Sequence, residues 1–232
     1  MRAILMAAGM GTRLRPLTET TPKSLIEVNG MPLLERQIIN LKERGIDEII
    51  VLTGYLHEKF DEIVKKYNLI KVVNDKYDVY NNIYTMYLVR QYLKDAFVID
   101  ADNYITRNFL PEDMPNTSVY YSACKENIIG EWILNYDENE RIFGVDIGKE
   151  GDKPSYIMSG ASFWTEKDGI LIAKKVEEVV AGGNFKDLYW DSIAVDNLKD
   201  MDVRIEKIDS NDIFEIDSLE DLEYLKNTLK IQ

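Results

Sequence analysis

The sequence predicts an α/β fold whose central sheet is Rossmann-like, mixed but mostly parallel, and flanked by helices. Over residues 1–115, short apolar runs alternate with amphipathic segments, a pattern typical of right-handed βαβ units. After residue 115, extended and aromatic-rich stretches replace the helical spacing and predict further strands. Ligands of such sheets bind at the carboxyl ends of the parallel strands, so we expect the site there.

The first half predicts four strands and three helices. Residues 2–8 form a short apolar run that ends at Gly9, as in a buried parallel strand that leads into a turn. The spacing of Leu34, Ile38 and Leu41 before Gly45 predicts an amphipathic helix that stops at a glycine. Further strands are predicted at 46–52, 70–73 and 97–100. A second helix is predicted from the shared face of Phe60, Val64 and Tyr67, and a third from that of Ile83, Met86, Tyr87 and Arg90.

The second half predicts antiparallel strands, either added to the same sheet or folded over it. The predicted strands lie at 118–124, 131–136, 141–147 and 155–164. Helices are predicted at 167–180, at 187–198 and on the face of Leu222, Leu225 and Leu229. With 232 residues and no linker-like segment, the chain is expected to form a single domain.

Composition limits the kind of function. A formal net charge of −13 argues against a nucleic-acid surface, because such surfaces depend on basic patches. No apolar run reaches the roughly 18 residues that a membrane span needs, and no signal sequence precedes the first strand, so we expect no membrane contact and a cytoplasmic location. One histidine and one cysteine cannot form a zinc site, so a metal would need oxygen ligands. The sequence does not indicate an oligomeric state.

The first 23 residues carry the most specific motif. Gly9 and Gly11 follow the first strand, and glycines there let the backbone turn tightly and bring N–H groups close to phosphate oxygens. Arg13 and Lys23 add positive charge. The loop is neither a Walker loop nor a complete GxGxxG fingerprint, because residue 14 is leucine. A bare GxG is usually only a turn, but the full string Gly-x-Gly-x-Arg-Leu-x-Pro-x-Thr followed by Pro-Lys predicts a triphosphate-binding loop.

This string is similar to the signature of the nucleoside-diphosphate-sugar pyrophosphorylase superfamily, nucleotidyltransferases with a GT-A-like fold. Several short segments resemble the bacterial CTP:phosphocholine cytidylyltransferases, so the resemblance covers essentially the whole chain. They are Asn74-Asp75-Lys76-Tyr77, Tyr80-Asn81-Asn82, Asp100-Ala101-Asp102-Asn103, Glu131-Trp132, Ser159-Gly160, Asp187-Leu188-Tyr189-Trp190-Asp191 and Glu215-Ile216-Asp217-Ser218. The resemblance implies that CMP passes from CTP to phosphocholine with Mg²⁺, giving CDP-choline and pyrophosphate.

The same resemblance implies roles for individual residues. Within the single domain, residues 1–115 would bind the nucleotide and residues 116–232 the acceptor. Arg13 and Lys23 would act as the catalytic cations, and Asp102 and Asp217 as the Mg²⁺ ligands. Taken on the residues alone, Asp102 is also typical of a turn and Asp217 of a helix cap. The nucleotide-binding residues would be Ala7, Ala8, Gly9, Gly11, Thr12, Arg13, Lys23, Asn82 and Ala101. Among them, Asn82 and the backbone of Ala7 and Ala8 would face the base.

Aromatic residues of the second half suggest the acceptor. Trp132 and Tyr189, with Asp187 nearby in sequence, are the combination of aromatic faces and carboxylate that selects a quaternary ammonium group. Lys125 would bind the acceptor phosphate, although an exposed surface lysine is an alternative. Each tryptophan also fits an ordinary core position. On a helix, the adjacent Tyr189 and Trp190 could not face one pocket.

Two alternatives to phosphocholine transfer stay open at this point. The first is a related nucleotidyltransferase that uses phosphoethanolamine, 2-aminoethylphosphonate or a sugar 1-phosphate. The second is a non-catalytic nucleotide-binding regulatory module, since a fold does not determine a function. The presence of Arg13, Lys23, Asp102 and Asp217 together favours an enzyme. A non-catalytic module would not need both cations and both metal-binding carboxylates.

Overall fold

The computed structural model describes residues 1–231. The strands are β1 (Arg2–Ala7), β2 (Glu27–Val28), β3 (Met31–Pro32), β4 (Glu48–Thr53), β5 (Ile70–Val73), β6 (Ala96–Asp100), β7 (Asn103–Ile105), β8 (Ser118–Lys125), β9 (Trp132–Tyr136), β10 (Ile142–Ile147), β11 (Ser155–Tyr156), β12 (Ala161–Trp164), β13 (Val203–Ile208) and β14 (Ile213–Glu215). The helices are α1 (Leu33–Glu43), α2 (Asp61–Tyr67), α3 (Asn82–Val89), α4 (Glu166–Ala181), α5 (Trp190–Asp196) and α6 (Leu219–Ile231).

The central sheet has eight strands in the order β11-β8-β12-β6-β1-β4-β5, and β13 also pairs with β8. Strands β6, β1, β4 and β5 run parallel to one another, which confirms the predicted fold class. The four later stretches predicted as antiparallel strands do pair antiparallel, in the central sheet or in a separate hairpin. Within the central sheet, only β12 and β11 run opposite to the other strands. Because β12 is antiparallel to both β6 and β8, strand β8 has the same direction as β6. Strand β13 lies parallel to β8. Strands β9 and β10 form a separate hairpin.

Two predicted elements in the second half are shorter than expected. The predicted strand 155–164 is split, because Gly160 adopts a left-handed φ of 68° before β12 begins. The predicted helix 187–198 starts only at Trp190. The preceding carbonyls are used elsewhere, since those of Lys186 and Leu188 accept hydrogen bonds from the N–H groups of Asn81 and Ile83.

Both faces of the sheet are buried, which explains the continuous apolar run of β1. Ile4 packs in a cluster with residues of α3, α4 and α5, whereas Leu5 packs with residues of α1 and α2 on the opposite face. The helices therefore cover both sides, as in other parallel sheets. Among residues 1–231, none of the helices combines the length and the apolar character that a bilayer crossing demands.

The turn after β6 is held from two sides. From α1, the Gln37 side chain donates to the carbonyls of Asp100 at 3.0 Å and Asn103 at 2.7 Å. From the other side, Asn103 donates to the carbonyl of Ser159 at 3.1 Å, and the N–H of Asp100 donates to Gly160 at 2.8 Å. These bonds fix the backbone on both sides of Asp102, at the carboxyl end of a central strand.

We expect Gly160→Ala to destabilise the protein strongly. A Cβ at this position would lie 2.6 Å from both the Asp100 carboxylate and the Asn103 amide, in addition to the strain of the left-handed backbone. The free energy of unfolding should fall by about 2–4 kcal/mol, measured by urea denaturation.

Gly183→Ala is the matched control, because Gly183 has a similar φ of 80° but open space where a Cβ would lie. It should cost only about 1 kcal/mol, the backbone strain alone. Equal losses in the two variants would contradict the role of close packing at Gly160.

Candidate functional site

The glycine-rich loop begins at the carboxyl end of β1 and packs directly on Lys23. Gly11 has a left-handed φ of 58°, and a Cβ there would lie 2.9 Å from the Cβ of Lys23. Its carbonyl accepts a hydrogen bond from the Thr18 hydroxyl at 2.8 Å. Glycine is therefore required at this position both for the backbone angle and for the close approach of Lys23.

The remaining predicted nucleotide-binding residues lie around this loop. Ala7 and Ala8 are 7% exposed at the end of β1, and Gly9 has open space around it. Thr12 begins a short 3₁₀ turn. Ala101 is buried, and its N–H donates to the Met6 carbonyl at 3.1 Å, so this amide already joins β6 to β1. Their contacts with a nucleotide stay a prediction.

The two predicted cations meet the two predicted metal-binding carboxylates. The Lys23 ammonium donates to Asp102 Oδ2 at 2.7 Å and to Asp217 Oδ1. Arg13 donates to the other oxygen of Asp217 at 2.6 Å. The Lys23 side chain is only 12% exposed, whereas that of Arg13 is 70% exposed. Four residues from three distant parts of the chain thus form one charged network.

This network favours the ionised forms of Lys23 and Asp217. Burial alone would lower the pKa of Lys23, but the charges and hydrogen bonds of Asp102 and Asp217 outweigh it and raise that pKa. Burial would likewise raise the pKa of Asp217, but Lys23 and Arg13 hold it below its usual value. Lys23 is therefore a permanent cation at neutral pH.

Glu215 joins Asp102 and Asp217, and sequence reasoning missed it. Oxygens of the three carboxylates lie within 4.8 Å of one another. β14 pairs with β7 so that Glu215 lies opposite Asn103, and the N–H of Ile216 donates to the Asp102 carbonyl at 3.2 Å. The available signal was the spacing of Glu215 and Asp217, because alternate residues of an extended segment share a face.

The three carboxylates fit a divalent cation. Desolvation of its carboxyl group within the cluster and the charges of Asp102 and Asp217 raise the pKa of Glu215 to about 8, although the residue as a whole is exposed. The cluster therefore lacks positive charge even with Lys23 present. In addition, Asp102 Oδ1 is buried without a hydrogen-bond partner among the residues that the structure describes. Hard oxygen donors of this kind are the ligands that Mg²⁺ and Ca²⁺ take in proteins.

A cavity of about 460 Å³ extends from this cluster. Its charged lining is dominated by carboxyl groups, with one guanidinium group, that of Arg13. The lining residues are Arg13, Asn82, Val98, Asp100, Asp102, Asn103, Tyr120, Gly130, Glu131, Trp132, Met158, Ser159, Gly160, Ala161, Ser162, Tyr189, Trp190, Asp191, Glu215 and Asp217. A pocket with this charge attracts cations, and it binds an anionic ligand only when cations bind with it.

Trp132 and Tyr189 form an aromatic corner of the cavity. Their ring centroids lie 6.2 Å apart at an interplanar angle of 69°. Trp190 also lines the cavity, although it is only 3% exposed. The expectation that Tyr189 and Trp190 could not share a pocket was wrong, because Tyr189 precedes α5 and has an extended backbone.

Asp191 adds a carboxyl group to the lining of the same cavity. The Tyr120 hydroxyl donates to Asp191 Oδ1 at 3.2 Å, and burial raises the pKa of Asp191 to about 7. The pKa of the neighbouring Asp100 is also raised, by burial and by the charges of Asp102 and Asp191. Asp191 therefore changes its charge near neutral pH.

Two predicted acceptor-binding residues lie elsewhere. Asp187 is exposed in the loop before α5 and does not line the cavity, because the helix starts three residues later than predicted. Lys125 is half-buried, and its ammonium donates to the carbonyls of Ser210 and Ile213, both at 3.1 Å. Burial lowers its pKa. Lys125 is thus held by backbone carbonyls and also lies outside the residues that line the cavity.

Comparison with known proteins agrees with this geometry. Residues 2–146 match the nucleotidyl transferase family. The chain is 44% identical to the choline-phosphate cytidylyltransferase of Streptococcus pneumoniae, with 99% of each chain covered, and 37% identical to that of Haemophilus influenzae, covering 99% of this chain and 97% of the relative.

A solved structure shows the same similarity in three dimensions. The CTP:phosphocholine cytidylyltransferase from Streptococcus pneumoniae superposes with a TM-score of 0.94 at 44% identity, with 98% of each chain covered. Similarity of this extent includes the strands, loops and helices that line the cavity. The chain therefore belongs to the nucleotidyl transferase family, with bacterial choline-phosphate cytidylyltransferases among its relatives.

Proposed function

We propose that this protein is a cytidylyltransferase that transfers CMP from CTP to phosphocholine and releases pyrophosphate. One observation carries the proposal. A single cavity joins a cluster of carboxylates and cations at the glycine-rich loop to an aromatic and acidic end beside Trp132, Tyr189 and Asp191. The first end suits a metal-bound triphosphate and the second a quaternary ammonium group. The names of the two relatives support the same substrates.

The reaction needs no nucleophilic side chain. A phosphate oxygen of phosphocholine attacks the α-phosphorus of CTP in line; a new P–O bond forms, and the bond between the α-phosphorus and the bridging oxygen breaks as pyrophosphate leaves. The protein contributes positioning and charge neutralisation. We assign the latter to Arg13 and Lys23, and we assign nucleotide binding to residues 1–115 and acceptor binding to residues 116–232.

Asp102, Glu215 and Asp217 would hold Mg²⁺, which when bound neutralises charge on the triphosphate. Lys23 already contacts two of these carboxylates, so the ammonium and the metal would lie side by side. Two polyanions brought to a few ångströms repel each other by several kcal/mol, about 4 per pair of unit charges at an effective dielectric of 20. The combined cations offset this repulsion.

The acceptor end favours a trimethylammonium group over a sugar. Such a group donates no ordinary hydrogen bond and binds through aromatic faces and nearby negative charge, with each cation–π contact contributing about 0.5–2 kcal/mol. Trp132 and Tyr189 provide the faces, and Asp191 provides a carboxylate that Tyr120 holds in place. A sugar site would instead present polar side chains matched to ring hydroxyls.

A pyrophosphate-release screen tests the proposal. The common nucleoside triphosphates are combined with phosphocholine, phosphoethanolamine, 2-aminoethylphosphonate and glucose 1-phosphate in the presence of Mg²⁺. We expect the highest kcat/KM for CTP with phosphocholine. A preference for glucose 1-phosphate would overturn the acceptor assignment, and nucleotide binding without pyrophosphate release from any pair would identify a regulatory module instead.

We expect Lys23→Ala and Asp102→Ala each to lower turnover by about a hundredfold or more, the scale of losing one preorganised charge contact. The measurement is kcat for pyrophosphate release at saturating substrates. Lys42→Ala is the matched control, because Lys42, near the C-terminal end of α1, pairs with the exposed Asp47 in the loop that follows. Near-normal turnover in both site variants would rule out the charge network as catalytic machinery.

We expect Trp132→Ala to raise the KM for phosphocholine while leaving the KM for CTP unchanged, because it removes contacts with the acceptor only. Phe143→Ala is a control on the same hairpin, where the side chain is 67% exposed. Initial rates with each substrate varied in turn provide both constants. An unchanged acceptor KM would exclude Trp132 from the ammonium site.

The acceptor KM should fall severalfold between pH 6 and pH 8. With a pKa of about 7, Asp191 is mainly protonated at pH 6 and mainly ionised at pH 8, and only the ionised form attracts the ammonium group. Asp191→Asn should remove this part of the pH dependence, while the titration of phosphocholine itself affects both proteins equally. Identical pH profiles of acceptor KM would show that Asp191 does not act as a charge.

A further inference from the structure

The two halves of the cavity meet at a junction between residues 81–83 and 186–190. Three of its hydrogen bonds use backbone carbonyls of the second segment. The Asn81 N–H donates to Lys186 at 2.8 Å, the Asn81 side chain to Asp187 at 3.3 Å, and the Ile83 N–H to Leu188 at 3.4 Å. The rings of Phe185 and Tyr80 pack at a tilt, with centroids 4.7 Å apart, and add an apolar contact.

The fourth bond of the junction comes from the Asn82 side chain. Asn82 Oδ1 accepts a hydrogen bond from the N–H of Trp190 at 2.9 Å. Trp190 is the first residue of α5, and N–H groups in the first turn of a helix have no acceptor within the helix. Asn82 therefore caps α5 from a different element, the first turn of α3.

This bond controls two residues of the acceptor end. Tyr189 precedes the capped residue and Asp191 follows it, and both line the cavity. Their backbone positions depend on where the Trp190 N–H is held. Asn82 lines the same cavity but belongs to the half that carries the glycine-rich loop, so the bond links the geometry of the two ends.

We propose that Asn82 is a positioning residue for the acceptor, which acts by holding the backbone that presents Tyr189 and Asp191. This inference rests on the proposed function and deepens it. It differs from a contact with the nucleotide base, the role expected for Asn82 from sequence resemblance. The two roles make opposite predictions for the two substrates.

Kinetics of two substitutions separate these roles. Asn82→Ala removes the acceptor oxygen and leaves the Trp190 N–H unsatisfied, while the other three bonds keep the segment attached. We expect a five- to tenfold higher KM for phosphocholine with kcat and the KM for CTP nearly unchanged. Asn82→Asp keeps an oxygen at the same place and should restore the acceptor KM. Asn135→Ala is the control, because Asn135 bonds only the exposed Asp146 on the hairpin.

A double-mutant cycle tests the route of the effect. If Asn82 acts through Tyr189, then Asn82→Ala should change the acceptor KM much less in a Tyr189→Ala background than in the wild type. A rise in the KM for CTP with an unchanged acceptor KM would overturn the proposal in favour of a base contact. Full additivity with Tyr189→Ala and Asp191→Ala would overturn it as well.

Hydrogen exchange provides a readout that does not depend on the substrate. The peptide covering residues 185–196 should exchange faster in Asn82→Ala than in the wild type and should regain protection in Asn82→Asp. Unchanged exchange in Asn82→Ala would reject the positioning role. If the wild type shows no turnover with phosphocholine, the proposed function fails, and the exchange result still decides whether Asn82 holds this backbone.

Discussion

The site depends on one buried ion pair network, the Lys23 ammonium held between Asp102 and Asp217. These residues come from the segment after the glycine-rich loop, from the turn after β6 and from the end of β14. A charge that is 12% exposed is costly unless opposite charges compensate it. The position of each of these three segments is therefore stabilised by the other two, and the glycine-rich loop is held against the sheet.

An excess of carboxylates governs the rest of the cavity. Asp100, Glu131, Asp191 and Glu215 add carboxyl groups beyond those paired with Lys23 and Arg13. Their raised pKa values mean that these groups ionise more readily when a cation is nearby. Such a cavity favours positively charged groups at both ends, a metal near Asp102 and an ammonium near Trp132. The excess of carboxyl groups thus agrees both with a metal bound beside the triphosphate and with a cationic acceptor, as proposed above.

Features that depend on neighbouring residues were accessible from the sequence. The glycine string, the strand before it and the position of Asp102 just after a strand all follow from local patterns, because backbone angles and strand ends are encoded over a few residues. The parallel order then brings the ends of β1 and β6 together, since these strands pair directly. This accounts for the meeting of Lys23 and Asp102, whereas Asp217 was assigned from the family resemblance.

Features that depend on distant pairing were decided by the tertiary structure alone. Glu215 joins the cluster because the three-residue strand β14 pairs with β7, a partner far away in sequence. Asp191 rather than Asp187 faces the cavity because Asn81 and Ile83 bind the carbonyls before α5 and delay its start. The sequence by itself determined the reaction class, through the motif of the glycine-rich loop. Contacts across the chain decided which carboxylates line the cavity, because the direction of those side chains depends on where a distant segment holds the backbone.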